Sequence, residues 1–191
     1  MVRRGFKTEA EALSVEQRAE LKLALVEPLD PFALADHLAI QVVSFDDCGD
    51  VMGLDRQARA AVSALSDRVY ALTACAGRRR VIIYNDRNAR VRQVSDVAHE
   101  LSHTLLEHEP TSLAHPARYL EGDAELEEEA NILAGALLVP REGALVLARD
   151  GMSDEELASH YGVSKVMARW RVGTTGVRRQ LQRSGYGRGA N

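Results

Sequence analysis

The chain has 191 residues, of which 46% are hydrophobic and 27% charged, with a formal net charge of −4. That length suits one moderate domain, or a compact core with a small appendage, and it needs no cross-links to bury a core. The two cysteines, Cys48 and Cys75, have no CxxC spacing and no paired histidine, so neither a disulfide framework nor a thiolate metal site is suggested and a reducing compartment is the simplest reading. The basic N-terminus runs into Thr8-Glu9-Ala10-Glu11, and no run approaches the ~18 apolar residues of a membrane span, so a cytoplasmic location is expected. Charge is uneven along the chain: Glu121, Asp123, Glu125, Glu127, Glu128 and Glu129 crowd residues 121–129, whereas residues 165–191 carry only basic groups. The overall balance argues against general nucleic-acid binding, while the basic tail leaves room for a local contact with nucleic acid or an acidic partner.

In chain order, Val15 to Val26 reads as a helix, and Pro31 opens a second one through Leu34 and Leu38. Ile40 to Phe45 reads as a strand and Asp55 to Leu65 as a helix. Val69 to Ala74 and Val81 to Tyr84, separated by a glycine-containing turn, read as a β-hairpin. Ser95 is the expected N-cap of the next helix, with Asp96 in its first turn, where a carboxylate suits the positive end of the dipole. Another helix is expected from about Gly122 to Leu138, ending before Pro140. Residues 153–170 have the pattern of helix, turn, helix, with Gly162 at the bend, and the glycine-rich Ser184 to Asn191 is expected to be disordered.

The segment Ala98-His99-Glu100-Leu101-Ser102-His103 contains HExxH. On a helix of about 3.6 residues per turn, its histidines lie one turn apart on one face, so both imidazoles can reach one metal. Zinc favours histidine nitrogen and carboxylate oxygen, and three protein ligands leave a fourth position for water. Glu100 then stands beside that position as the base that takes the proton and returns it to the leaving amine. These are the parts of a zinc peptide hydrolase, with His99 and His103 as metal ligands and Glu100 as the catalytic residue.

A third ligand must come from another element. On the acidic helix, Leu126, Ala130, Leu133 and Leu137 share the expected core stripe; Glu128 lies nearly opposite, and Glu127 and Asn131 lie on one flank. Asp123 and Glu129 also flank the stripe, so periodicity leaves Glu127, Asp123 and Glu129 all open.

Arg92, Ser95-Asp96-Val97-Ala98-His99-Glu100-Leu101-Ser102-His103, Glu127-Glu128-Glu129-Ala130-Asn131-Ile132-Leu133-Ala134 and Leu137-Leu138-Val139-Pro140 resemble the ImmA/IrrE family of metallopeptidases. That family's pattern is an arginine, a Thr-x-Ala-His-Glu-x-Gly-His helix, then Glu-x-x-Ala-Asn-x-Phe-Ala and Leu-Leu-Met-Pro. Weaker similarity runs from Gly5-Phe6-Lys7 through Val163-Ser164. The resemblance implies Glu127 as the third metal ligand and a substrate that is a helix-turn-helix repressor or antitoxin-like regulator, cut under stress or on induction of a mobile element. Asn131, one turn after Glu127, is placed to orient a ligand histidine. The chain departs from the pattern at Ser102 for glycine, Leu133 for phenylalanine and Val139 for methionine; Ser102 matters most, because glycine there lets another backbone pass close to the helix. His108, His115, Tyr84, Arg92 and Tyr119 are candidate donors to the oxyanion of a tetrahedral intermediate.

Glu156 to Lys165 looks like a helix-turn-helix, with Val163-Ser164 opening the recognition helix and Arg169 and Arg171 following. In the resembled family such a segment packs on the catalytic domain. The expected fold is therefore α+β: a helix-rich, zincin-like and gluzincin-like metallopeptidase core over residues 1–150 with a short mixed sheet, a helix-turn-helix-like segment over 151–183, and a tail over 184–191. The expected function is zinc-dependent endopeptidase cleavage. The alternatives are a non-enzymatic DNA- or regulator-binding protein with a structural metal, and a toxin-like component of a two-protein module.

Overall fold

The computed structural model describes residues 2–65, 69–76, 79–109 and 123–183. The order of elements is α1 (Phe6–Glu20), α2 (Pro31–His37), β1 (Gln41–Ser44), α3 (Cys48–Val51), α4 (Arg56–Leu65), β2 (Ala71–Ala76), β3 (Arg79–Tyr84), α5 (Arg90–Leu105), α6 (Ala124–Leu138), α7 (Arg141–Arg149), α8 (Asp154–Tyr161), α9 (Lys165–Thr174) and α10 (Val177–Arg183). This is a helix-rich α+β chain. It divides into two compact units, one of Met1–Val2 and Pro31–Asn131, the other of Arg3–Asp30 and Ile132–Asn191. The division falls inside α6, and residue 150 lies within the second unit. Tail residues 184–191, His115 and Tyr119 lie outside the described residues.

The first unit is built on a mixed three-stranded sheet of order β1-β3-β2. β1 and β3 are parallel with Val42 opposite Ile82, and β2 and β3 form the expected antiparallel hairpin with Leu72 opposite Ile83. Alternate side chains of a strand point to opposite faces. Val43, Leu72, Ala74, Val81 and Ile83 therefore share a face, which packs with Phe45, Cys48, Val62 and Val69 into one apolar cluster. Ile82 and Thr73, opposite one another in the ladder, take the other face, towards α5. Burial on both faces explains why Val81-Ile82-Ile83 reads as an unbroken apolar run.

The second unit gathers α1, the last turns of α6, and α7 to α10. From Ile132 to its end at Leu138, α6 is buried on nearly every side, as is Val139 after it. Its last carbonyls have no cationic side chain of their own turn to meet them. Ser14 Oγ donates to the carbonyl of Ala136, Arg18 Nη2 to that of Leu137 and Arg171 Nε to that of Val139. Side chains from α1 and α9 thus satisfy the free end of α6 and place two positive charges at its negative pole.

Three expectations are corrected. The first helix spans Phe6–Glu20 rather than residues 15–26: Lys22 turns left-handed at φ 59° and Leu23 N–H bonds back to Arg18. The chain leaves the helix there because Arg18, fully buried, needs the carbonyls of Ala24 and Glu27 around its guanidinium. Ser95 is not the N-cap of α5. The helix starts at Arg90 after Ala89, Ser95 Oγ donates to Val91 within it, and Asp96 sits in the second turn, paired with Arg92 at 2.9 Å. Leu126 is exposed rather than in the core stripe of α6, unlike Ala130, Leu133 and Leu137. Among the described residues no single helix is long and apolar enough to cross a membrane; α6 and α7 reach that length and apolarity only as a pair bent by 45°.

Candidate metal centre

Helix α5 lays Val97, Ala98, Leu101 and Ser102 into the first unit with no exposure, and this packing fixes the rotation of the helix. The serine that replaces glycine is accommodated by its own hydroxyl, which donates to the carbonyl of Ala98 at 2.8 Å one turn back. With that face buried, His99 and His103 emerge together on the flank, their ring centroids 4.7 Å apart.

The two imidazoles and a carboxylate of α6 meet at one point. His99 Nε2 lies 3.1 Å from His103 Nε2 and 3.2 Å from Glu127 Oε2, and His103 Nε2 lies 3.4 Å from Glu127 Oε1. These residues form a group able to hold a metal ion. Donors held at ~2.0–2.1 Å around a tetrahedral centre stand about 3.3–3.4 Å apart; the 3.1 Å between the two nitrogens, and the 3.2 and 3.4 Å from each to a different oxygen of Glu127, bring the three side chains within reach of one ion, and a donor set of two nitrogens and a carboxylate suits zinc.

The electrostatics follow from the same contacts. Burial alone would lower the pKa of His99, but its hydrogen bond to Glu127 and the negative charges of Glu100 and Glu127 outweigh it, and the net shift is upward. Hydrogen bonds from His103 and His99 hold the Glu127 carboxyl far below the usual carboxylate range. Asn131, one turn after Glu127, adds a smaller upward contribution to the pKa of His99.

The other acids of α6 go elsewhere. Asp123 Oδ1 accepts from the N–H of Glu125 at the start of the helix, and Glu129, buried, faces His108 at 3.8 Å. Glu100 is buried as well, and its Oε2 accepts a 2.7 Å hydrogen bond from Thr73 Oγ1 of β2. Sequence reasoning missed Thr73; its one signal is a lone hydroxyl in the middle of an otherwise apolar strand segment. Of the candidate oxyanion donors, Tyr84 packs edge-on to Phe32, Arg92 lies over Tyr70 and bonds Asp96, and His108 is buried beside His103.

In the second unit α8 begins with a capping box between Ser153 and Glu156, ends at Gly162 with φ 65°, and is followed by α9, whose N-cap Ser164 accepts from Met167 N–H. Arg171 is buried against Glu11, Arg169 pairs with Glu155 in an exposed position, and the exposed Arg178 pairs with the buried Asp154.

Comparison with known families gives one result: the model described as Peptidase_M78, IrrE N-terminal-like domain, matches residues 50–172. No curated protein and no solved structure matches the chain.

Proposed function

Because the chain belongs to the Peptidase_M78 family of IrrE N-terminal-like metallopeptidases, we propose that it is a zinc-dependent endopeptidase in which His99, His103 and Glu127 hold the metal and Glu100 is the general base. The observation that carries this reading is the convergence of His99, His103 and Glu127, whose imidazole nitrogens lie 3.1 Å from each other and 3.2 and 3.4 Å from the two carboxylate oxygens. Zinc bound there would act as a Lewis acid and lower the pKa of its water towards ~7. Glu100 takes the proton of the attacking water on its carboxylate and passes it to the nitrogen of the leaving amine. Thr73 fixes the carboxylate for that task by donating to Oε2. Asn131, one turn after Glu127 and beside His99, is assigned to orient that ligand.

The substrate we propose is a cytoplasmic helix-turn-helix repressor or antitoxin-like regulator, cleaved in response to stress or element induction; the resemblance to regulator-cleaving peptidases supports this. The α8–α9 pair is then a helix-turn-helix-like element that packs in the second unit and reads the substrate. A second reading, DNA binding by that pair, draws on Lys165 and the 78% exposed Val166 at the start of α9. The pairing of Arg169, Arg171 and Arg178 with acids of their own unit weakens it.

Metal content and proteolysis of a candidate regulator, measured together, test the reading. Wild type and Glu100→Gln should each hold about one zinc per chain, Glu127→Ala should lose it, and Glu100→Gln should cleave about 10²–10⁴-fold more slowly. Chelation should abolish cleavage. A wild-type protein that holds no metal, or a Glu100→Gln variant that cleaves at the wild-type rate, overturns the peptidase mechanism. Salt-sensitive DNA binding that survives Glu100→Gln would favour the second reading.

A further inference from the structure

We propose that His108 and Glu129 form a relay behind His103 that fixes its tautomer and aim and thereby sets the affinity of the metal site. This rests on the reading of His103 as a ligand. A neutral imidazole that offers Nε2 to a metal carries its proton on Nδ1, and that proton needs an acceptor. His103 Nδ1 lies 2.9 Å from His108 Nδ1. His108 can accept only with a bare Nδ1, which puts its own proton on Nε2. His108 Nε2 faces Glu129 Oε2 at 3.8 Å, too long for a hydrogen bond but close enough for the negative charge to favour that tautomer. Each step dictates the next, and the carboxylate at the far end settles the direction: His103 donates from Nδ1, His108 accepts, and Nε2 of His103 is the nitrogen that offers its lone pair when a metal replaces its proton beside His99 and Glu127.

The backbone is shaped to deliver His108 to that place. Helix α5 ends at Leu105, and Glu107 adopts the left-handed conformation at φ 58°, which folds the chain back under the last turn. His108 N–H then bonds the carbonyl of His103 at 2.9 Å, and Arg80 Nη1 donates to the carbonyl of His108 at 3.2 Å. His108 and Glu129 have side chains only 8% and 11% exposed, so their mutual attraction is weakly screened. The assignment moves His108 from oxyanion donor to positioning residue, since both its ring nitrogens face inward partners. It also gives Glu129 a task distinct from that of Glu127, two residues earlier on the same helix.

The test is Co²⁺ affinity of the full chain, by competition with a chromogenic chelator, for wild type, His108→Ala, His108→Asn, Glu129→Gln and His103→Ala. Asparagine places a carbonyl oxygen near the position of Nδ1 and can accept from His103. The relay predicts that His108→Ala still binds one Co²⁺ per chain at saturation but about 10–100-fold more weakly, with an altered visible absorption spectrum. His108→Asn should recover to within about threefold of wild type, and Glu129→Gln should fall between them. Wild-type affinity in His108→Ala, or equal losses in the alanine and asparagine variants, overturns the relay. Should His108→Ala not fold, Glu129→Gln decides, and wild-type affinity there overturns it. His103→Ala separates the two levels: loss of binding there with wild-type binding in His108→Ala removes the relay alone, whereas retained binding in His103→Ala removes the ligand reading and the relay with it.

Discussion

A single hydroxyl on β2 orients the carboxylate to which proton transfer is assigned. Thr73 and Glu100 are both buried, so their 2.7 Å hydrogen bond is formed where water cannot readily replace it. Thr73→Val keeps the shape and removes the donor; kcat should fall about 10–100-fold while metal content stays at the wild-type level, as read by steady-state kinetics beside metal analysis. A variant with unchanged kcat would show that packing alone orients Glu100. That His99 and His103 share one face of a helix was legible in sequence, because a four-residue spacing on a helix needs only local geometry. Glu127, Asp123 and Glu129 were not separable by periodicity, since which flank meets the histidines depends on how α6 packs, not on its own repeat. Thr73 showed only as a lone hydroxyl in an apolar strand, and its role was not legible, because its partner lies 27 residues away across a sheet-to-helix contact.

At the scale of elements, the hairpin, β1, α2, α4 and the α8–α9 pair were readable because each carries its own punctuation, such as Pro31 or Gly162. The misread ends share a cause. α1 stops at Glu20 and turns at Lys22 to bring carbonyls to Arg18, and α5 starts at Arg90 where Gln93 Nε2 bonds the carbonyls of Asp86 and Asn88. Neither signal is visible in a propensity pattern, because tertiary contacts override it. The exit of α5 gives a direct test. Glu107 holds a left-handed conformation that costs a residue with a Cβ of order 1 kcal/mol. Glu107→Gly should therefore raise stability by about 0.5–1 kcal/mol in chemical denaturation, with metal affinity unchanged. A destabilised variant would mean that the Glu107 side chain contributes more than its backbone costs.

At the scale of the molecule, the second unit depends on polar groups sealed inside it. Burial pushes the Tyr161 hydroxyl up to about 12, against an opposing effect of Arg18, and the hydroxyl donates to the carbonyl of Leu25 at 3.1 Å. A folded pKa above the unfolded value of about 10 stabilises the protein fully below pH 10, and that contribution is lost as pH rises from 10 to about 12. Wild type should thus lose stability across this window relative to Tyr161→Phe, in denaturation curves at pH 9 and pH 11.5; parallel losses in both proteins would refute the assignment. Arg18 is the larger dependency. Its guanidinium serves the carbonyls of Ala24, Glu27 and Leu137 with no exposure to water, and burial lowers its pKa. Arg18→Met leaves those acceptors unmatched and should cost about 3 kcal/mol or more, a drop readable as a lower thermal midpoint.

The capping of α6 by α1 and α9 bears on where this enzyme could be cut down. The segment that matches the family begins at residue 50 and ends at 172. Excising it would discard α1, and with it Ser14 and Arg18, two of the three side chains that meet the last carbonyls of the helix bearing Glu127. Arg171 would remain, but its counter-ion Glu11 would be gone and a guanidinium 3% exposed would be left uncompensated. The boundary of recognisable sequence is therefore not where the chain should be trimmed, and a fragment that keeps the end of this helix satisfied has to include Glu11, Ser14 and Arg18.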